Sequence, residues 1–329
     1  MKASKRQVDR VVGRPAAFAP TSYDGAWDAG ALIEARGMVK RYDGVALQDV
    51  SLRVEAGTVV GFVGRNGAGK STTIKALLGL VALDGGDARV LGTRPADLAC
   101  VRGAAVKEHI GVVFDTMPLP ASLRLDGVAR VMRAAFRTWD PGRFDALCGR
   151  FGLDARKHVK ELSRGMGMKL QLACALSHDT RLLVLDEATA GLDPMARDEA
   201  LDVLRDFVAE EGRAVLLSSH ITSDLEKIAD VVCCIDAGRI VFTRPKDDIC
   251  DRMGLVRLRS RDLDELRAAG SHAVPGATPD DPARVLRQEM GLALCVPDRA
   301  AFARAWPELE CERMTIDDYL GFVLKGELL

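Results

Sequence analysis

Gly64-Arg65-Asn66-Gly67-Ala68-Gly69-Lys70-Ser71 is the stretch on which the reading of this chain turns. It fits the full pattern G-x-x-x-x-G-K-S/T, and the flanking sequence supplies the setting that gives the pattern meaning. Ahead of it, TVVGFVG is a short apolar run stopped by glycines, as a buried central strand reads. Behind it, Ile74, Leu77 and Leu78 fall at helical spacing. A glycine-rich turn between strand and helix can bend tightly around a phosphate with its N–H groups pointing inward. The helix that follows adds unpaired N–H groups and the positive end of its dipole. Lys70 is placed to reach the β and γ oxygens, and the Ser71 hydroxyl can ligate Mg2+. A nucleotide site is expected over Gly64, Arg65, Asn66, Gly67, Ala68, Gly69, Lys70, Ser71 and Thr72.

A site of this kind needs a carboxylate on a neighbouring strand. Leu182-Leu183-Val184-Leu185 is a four-residue apolar strand ending in Asp186-Glu187, and strand ends in a parallel sheet open onto the ligand crevice. Asp186 is suited to hold Mg2+ through water, and Glu187 to orient or deprotonate an attacking water. His220 closes the next apolar strand, AVLLSSH. A strand-end histidine is often only structural, but one strand beyond a carboxylate pair it can help align that water through a neutral ring nitrogen.

Working outward, residues 1–30 are polar and rich in Gly, Pro and Ala, as a loose N-terminal arm would be. From Ala31 the chain is strand-like, turning at Asp43-Gly44 and again at Ala56-Gly57. Residues 119–178 have a helical texture, with Pro141 after Asp140 at a helix start, and read as an insert in an α/β unit. The alternation then returns: RLLVLDEA as strand, a helix stopped by Gly212, AVLLSSH as strand, ITSDLEKIAD as helix, and VVCCIDAGRIVF as a hairpin turning at Asp236-Ala237-Gly238. Such alternation argues for a largely parallel sheet covered by helices. The pattern weakens near residue 248, and residues 249–329 read as a small α+β appendage.

Composition bounds the remaining classes. The chain has 329 residues, 48% hydrophobic and 28% charged, with a formal net charge of −1. It is therefore an ordinary globular composition, and the near-neutral balance argues against an obligatory nucleic-acid partner. No run approaches the roughly 18 apolar residues of a membrane span, and the first residues lack the apolar segment of a secretory signal, so a cytoplasmic chain is expected. The eight cysteines include no CxxC pair and no Cys/His cluster at metal-ligand spacing. They read as buried or incidental thiols.

Over residues 31–245 the sequence resembles the ATP-binding subunits of ABC transporters. Those subunits carry a signature between the phosphate loop and the carboxylate strand, matched here by Leu162-Ser163-Arg164-Gly165-Met166 at the threshold of an amphipathic helix. The resemblance implies that Ser163 and Gly165 grip the γ-phosphate of ATP held by an opposing cassette, identical or paralogous. A serine at a helix N-terminus is physically an anion site, although the same residue is also an ordinary N-cap. By position, Tyr42 is implied to stack on adenine, Asp193 in Gly191-Leu192-Asp193 to cross the dimer, and His220 to be the switch histidine. Catalysis would fall to Glu187, His220, Lys70 and Asp186, with ATP and Mg2+ bound and Ser71, Asp115 and Asp186 around the metal. Integral membrane permease subunits are the implied partners, holding the chain at the inner face of the membrane.

Four positions depart from the family pattern: Asp115 stands for a glutamine, Arg164 and Met166 for a glycine and a glutamine of the signature, and Ala188 for a proline. Aspartate can still ligate Mg2+. Together with Trp139-Asp140-Pro141 and the C-terminal segment, these residues resemble bacterial export-type subunits of the antibiotic-responsive branch. Two other readings are a soluble cassette ATPase acting in translation or DNA repair and a non-hydrolysing nucleotide-gated regulator. One cassette in the chain, the short stretch 72–162 and the presence of Glu187 argue against them.

Overall fold

The computed structural model describes residues 27–28, 30–42, 44–270, 273–288 and 291–329. Most of the expected N-terminal arm, and Asp43 of the first expected turn, lie outside the described residues. Trp27 and Asp28 do not behave as a loose arm. The Trp27 ring lies under the guanidinium groups of Arg36 and Arg89, at 4.2 and 4.7 Å, and Asp28 pairs with Arg53.

The chain opens with β1 (Ala31–Tyr42) and β2 (Gly44–Glu55), an antiparallel pair. Then come β3 (Val59–Val63), α1 (Lys70–Leu77) and β4 (Gly85–Val90). Two single turns, α2 (Pro95–Leu98) and α3 (Ala104–Lys107), lead to β5 (Ile110–Val113). Three helices follow: α4 (Leu125–Ala135), α5 (Pro141–Arg150) and α6 (Arg164–Leu176). The α/β alternation resumes with β6 (Leu182–Asp186), α7 (Pro194–Val208), β7 (Ala214–Ser218), α8 (Thr222–Ile228), β8 (Val231–Asp236) and β9 (Arg239–Pro245). The remainder forms β10 (Gly254–Leu258), α9 (Ser260–Ala269), β11 (Arg284–Gln288), β12 (Gly291–Val296), α10 (Arg299–Ala305), β13 (Cys311–Arg313), α11 (Ile316–Lys325) and β14 (Glu327–Leu328).

These strands make three sheets. The central sheet has the order β5-β6-β7-β3-β8-β9, parallel except for the β8–β9 hairpin. The hairpin turns on Ala237 and Gly238, both at positive φ (45° and 76°), as a two-residue primed turn requires. A three-stranded antiparallel sheet, β2-β1-β4, covers one side, and a five-stranded antiparallel sheet, β13-β10-β12-β11-β14, is built from residues 254–328.

The apolar strands divide their side chains by parity, which explains why they read as continuous runs. In β3, Val59 and Val63 face the core shared with the helices, while Val60 and Phe62 face the core under β1 and β2. In β6, Leu183 and Leu185 go one way, Leu182 and Val184 the other. A sheet buried on both faces needs no polar alternation, and each such side chain contributes about 1.5–3 kcal/mol on burial. This double burial fixes the strand ends that carry the site. The appendage is not an independent bead either. Ile316, Tyr319, Phe322 and Val323 of α11 belong to the same core as Val59 and Leu185, and the Ile316 N–H donates to the Glu226 carboxylate at 2.8 Å.

Five of the eight cysteines are buried, all eight are free, and burial pushes the Cys233 thiol up to about 12. Among the described residues no helix is long and apolar enough to cross a membrane.

Candidate functional site

The phosphate loop joins β3 to α1 and is locked in place by backbone. A Cβ at Gly64 would lie 2.2 Å from the Ile235 carbonyl oxygen, so β8 passes too close for any side chain. Gly69 sits at φ +117°, a conformation closed to other residues, with the Ala46 oxygen 3.0 Å from where its Cβ would be. The Ala68 carbonyl accepts from the Gly238 N–H at 2.8 Å, tying the loop to the β8–β9 turn. Lys70 is buried; its ammonium donates to the carbonyls of Gly64 at 2.6 Å and Arg65 at 3.3 Å.

Around this loop lies a cavity of about 350 Å3 lined by Ala46, Arg65, Asn66, Gly67, Gly69, Lys70, Ser71, Thr72 and Glu187. Asp186, at the end of β6, is buried, and its Oδ1 accepts from the Ser71 hydroxyl and from the Ser218 hydroxyl, each at 3.1 Å. Two hydroxyls and a carboxylate of two strand ends and a helix start thus converge. Ser218 was not singled out by the sequence, because a serine at a strand end carries no signal until its neighbour across the sheet is known.

Glu187 takes φ 52°, the left-handed region that a glutamate rarely adopts. The turn is held by the Glu187 N–H donating to Ser218 O at 3.1 Å and the Ala190 N–H donating to Glu187 O at 3.2 Å. This backbone aims the carboxylate between Lys70, 3.1 Å from Oε1, and His220, whose Nδ1 donates to Oε2. Burial pushes the Glu187 carboxyl upward, but the His220 and Lys70 contacts outweigh it and hold the group below the usual glutamate range. It is therefore an ionised base in a half-buried setting. His220, half exposed, also lines a second cleft of about 340 Å3 between Gly64 and Arg65 on one wall and Asp317, Leu320 and Lys325 of α11 on the other. The C-terminal segment thus borders the site, which its sequence did not announce.

Behind Glu187 lies a further cluster missed by sequence reading. Asp224 of α8 is 1% exposed and faces Arg197 of α7 at 3.8 Å. Burial raises its carboxyl above the usual range against the pull of Thr189 and Arg197.

The other expected residues lie elsewhere. Ser163 caps α6, its Oγ accepting from the Met166 N–H at 3.2 Å, and is exposed; Asp193 caps α7 in the same way, accepting from Ala196 at 3.0 Å. Gly165 packs against Leu192. Tyr42 is exposed at the end of β1, with the Lys40 ammonium 5.4 Å from its ring centre. None of these four lines the phosphate cavity. Asp115, expected at the metal, does not line it either: its carboxylate is ion-paired with Arg164.

A phosphate loop after β3, a histidine after the adjacent β7 and a carboxylate pair at the end of β6 beyond it define a nucleotide-hydrolysing P-loop enzyme. The ABC transporter family profile matches residues 47–190. The chain is 36% identical over 229 residues to a Nod factor export ATP-binding protein I of Rhizobium leguminosarum bv. viciae, spanning 68% of this chain and 72% of that protein. It is 35% identical over 241 residues to the daunorubicin/doxorubicin resistance ATP-binding protein DrrA of Streptomyces peucetius, spanning 70% and 71%. A solved ATP-binding subunit of an ABC transporter superposes with a TM-score of 0.60 at 28% identity, over 66% of this chain and 91% of that one. The chain belongs to the ABC transporter ATP-binding proteins and is an ATPase of that family.

Proposed function

We propose that this chain hydrolyses ATP in a site completed by a second cassette, identical or paralogous, and drives export through separate permease subunits. The observation that carries this reading is the division of the site. Lys70 and Glu187 line one cavity, with Asp186 bonded to Ser71 and His220 to Glu187 beside it, while the exposed N-terminus of α6, with Ser163 and Gly165, lies outside that cavity's lining. A helix N-terminus with a hydroxyl at its cap favours an anion, and the neighbour's γ-phosphate is the anion that a head-to-tail pair would bring. Asp193 would then face the opposing site, and Tyr42, exposed at the hairpin end, would lie against adenine.

Mg2+ suits the donor set. Ser71 and Asp186 supply a hydroxyl and a carboxylate 3.1 Å apart, an oxygen pair that leaves the remaining positions to phosphate and water, as this ion prefers. When bound, the ion would neutralise charge on the β and γ oxygens. Lys70 adds its ammonium to the same phosphates, exchanging its contacts with Gly64 and Arg65. Glu187 takes the proton of the attacking water, and His220 keeps the Glu187 carboxylate oriented through Nδ1. The export-type relatives support the direction of transport, and a chain of this kind would sit at the inner face of the membrane on its permease.

Light scattering of Glu187→Gln with ATP and Mg2+ tests the two-chain site: the mass should double, and should not when Ser163→Arg is added. A Glu187→Gln chain that stays monomeric with ATP bound, alone and on its permease, overturns the reading. Detergent co-purification from membranes tests the second half and identifies the permease.

A further inference from the structure

Asp115 and Arg164 both depart from the family pattern, and the structure joins them. Their ion pair is one of three contacts by which the segment after β5 is held to a single face of α6. Arg164 grips the Asp115 carboxylate. Gly167 makes room for Met117, whose terminal methyl would lie 2.9 Å from a Cβ placed there. Gln171, buried, brackets the backbone of Phe114: its Oε1 accepts from the Phe114 N–H at 3.0 Å and its Nε2 donates to the Phe114 carbonyl at 3.1 Å. Positions 164, 167 and 171 are spaced i, i+3, i+7, one stripe of a helix. The Arg164 side chain also reaches the loop after Glu187, where a Cβ on Gly191 would lie 3.2–3.4 Å from it. Ser163, Arg164, Asp115 and Glu187 line a common cavity of about 120 Å3.

We infer that Asp115 is a positioning residue that acts through Arg164, holding the N-terminus of α6 against the Glu187–Gly191 turn, and is not a metal ligand. The inference rests on the proposed role of Ser163 toward a second chain's ATP. Electrostatics explains why the two departures come together. Arg164 is the first residue of α6, where a positive charge opposes the helix dipole; Asp115 neutralises it and so keeps Ser163 and Gly165 in an anion-accepting frame. Both side chains are about half exposed, so the pair adds little to global stability. Its effect lies in geometry: the loop after β5, the signature helix and the carboxylate turn move as one piece.

The test is ATP turnover by the full-length chain, titrated with Mg2+ and with ATP. Asp115→Asn and Arg164→Ala should each lower kcat about five- to tenfold, with half-saturating Mg2+ shifted less than about twofold, because a misplaced donor costs turnover rather than metal affinity. The double variant should be no worse than the worse single one, and the exchanged pair Asp115→Arg with Arg164→Asp should recover kcat to within about threefold of the original, as coupled residues do. A shift of half-saturating Mg2+ by more than about fivefold in Asp115→Asn, with kcat retained, overturns the inference in favour of metal ligation. Additive losses without recovery in the exchanged pair also overturn it. Ser163→Arg is run alongside: if it turns over normally, the two-chain reading fails, whereas loss there with unchanged Asp115 and Arg164 variants removes only the positioning role.

Discussion

The phosphate loop and the signature segment are both glycine-bearing starts of helices, yet the structure treats them oppositely. The first is walled in. Gly64 has a carbonyl oxygen 2.2 Å from its absent Cβ, Lys70 is buried, and the loop is tied to a β-turn through Ala68. The second is open. Ser163 and Arg164 are exposed, and Gly165 has a leucine methyl, not backbone, as its near neighbour. A complete half-site demands rigid preorganisation, since its groups must meet phosphate without rearranging. A half-site completed by another molecule must stay accessible and can bear substitutions such as Arg164 and Met166. Variants of the two segments should therefore fail in different ways.

The largest effect should come from the group both halves serve. Glu187→Gln should lower kcat by about 100-fold or more, the scale of general-base loss, with ATP binding retained. Single-turnover hydrolysis measures it, and turnover within about threefold of the original would remove Glu187 from the base role. Next, Ser163→Arg should lower turnover by about 100-fold, as loss of one charge-stabilising donor does elsewhere, while ATP binding to the isolated chain changes less than about twofold. Calorimetry of the isolated chain beside steady-state turnover checks this, and a parallel loss of binding would place Ser163 at its own chain's nucleotide. Gly64→Ala should break the comparison from the other side. Its methyl group collides with the Ile235 carbonyl, so both nucleotide affinity and fold stability should fall, the latter by about 2–3 kcal/mol as for overpacked sites. A chain that melts unchanged and binds ATP normally would mean that β8 yields easily.

The same contrast explains what the sequence could and could not disclose. Strand β3, the phosphate loop, β6 and β7 were legible because double burial leaves uninterrupted apolar runs, and because the motif residues act within one loop. Strand β4 was not: Gly85-Gly86-Asp87-Ala88-Arg89-Val90 is an edge strand whose pairing with β1 buries only Ala88 and Val90. The short strands β13 and β14 of the appendage were hidden for the same reason. At the site, Lys70, Ser71, Asp186, Glu187 and His220 could be assigned to one place because strand order brings their loops together. Contacts that depend on how α6 lies across the loop after β5, such as Asp115 with Arg164 or Gln171 with Phe114, have no local signature. Asp115 read as a metal ligand because it stands where the family carries a glutamine; its ion pair with Arg164, 49 residues away, leaves no trace in the local sequence.

The smallest effect concerns the turn that joins the two segments. Asp224 is buried beside Arg197, and burial raises its carboxyl above the usual aspartate range. An acid with a raised folded value binds more protons folded than unfolded, so its contribution favours folding at low pH and is lost as pH rises through the folded value. Asp224→Asn keeps the side chain's shape but cannot ionise. Its stability relative to the original should therefore rise with pH above about 4 and level off once Asp224 is fully ionised, by about 1 kcal/mol or less because Arg197 offsets part of the cost. Urea unfolding of both chains from pH 4 to 8 reads the difference. If Asp224→Asn instead loses ground as pH rises, the Arg197 pair outweighs burial, and the carboxylate itself holds α7 and α8 behind Glu187.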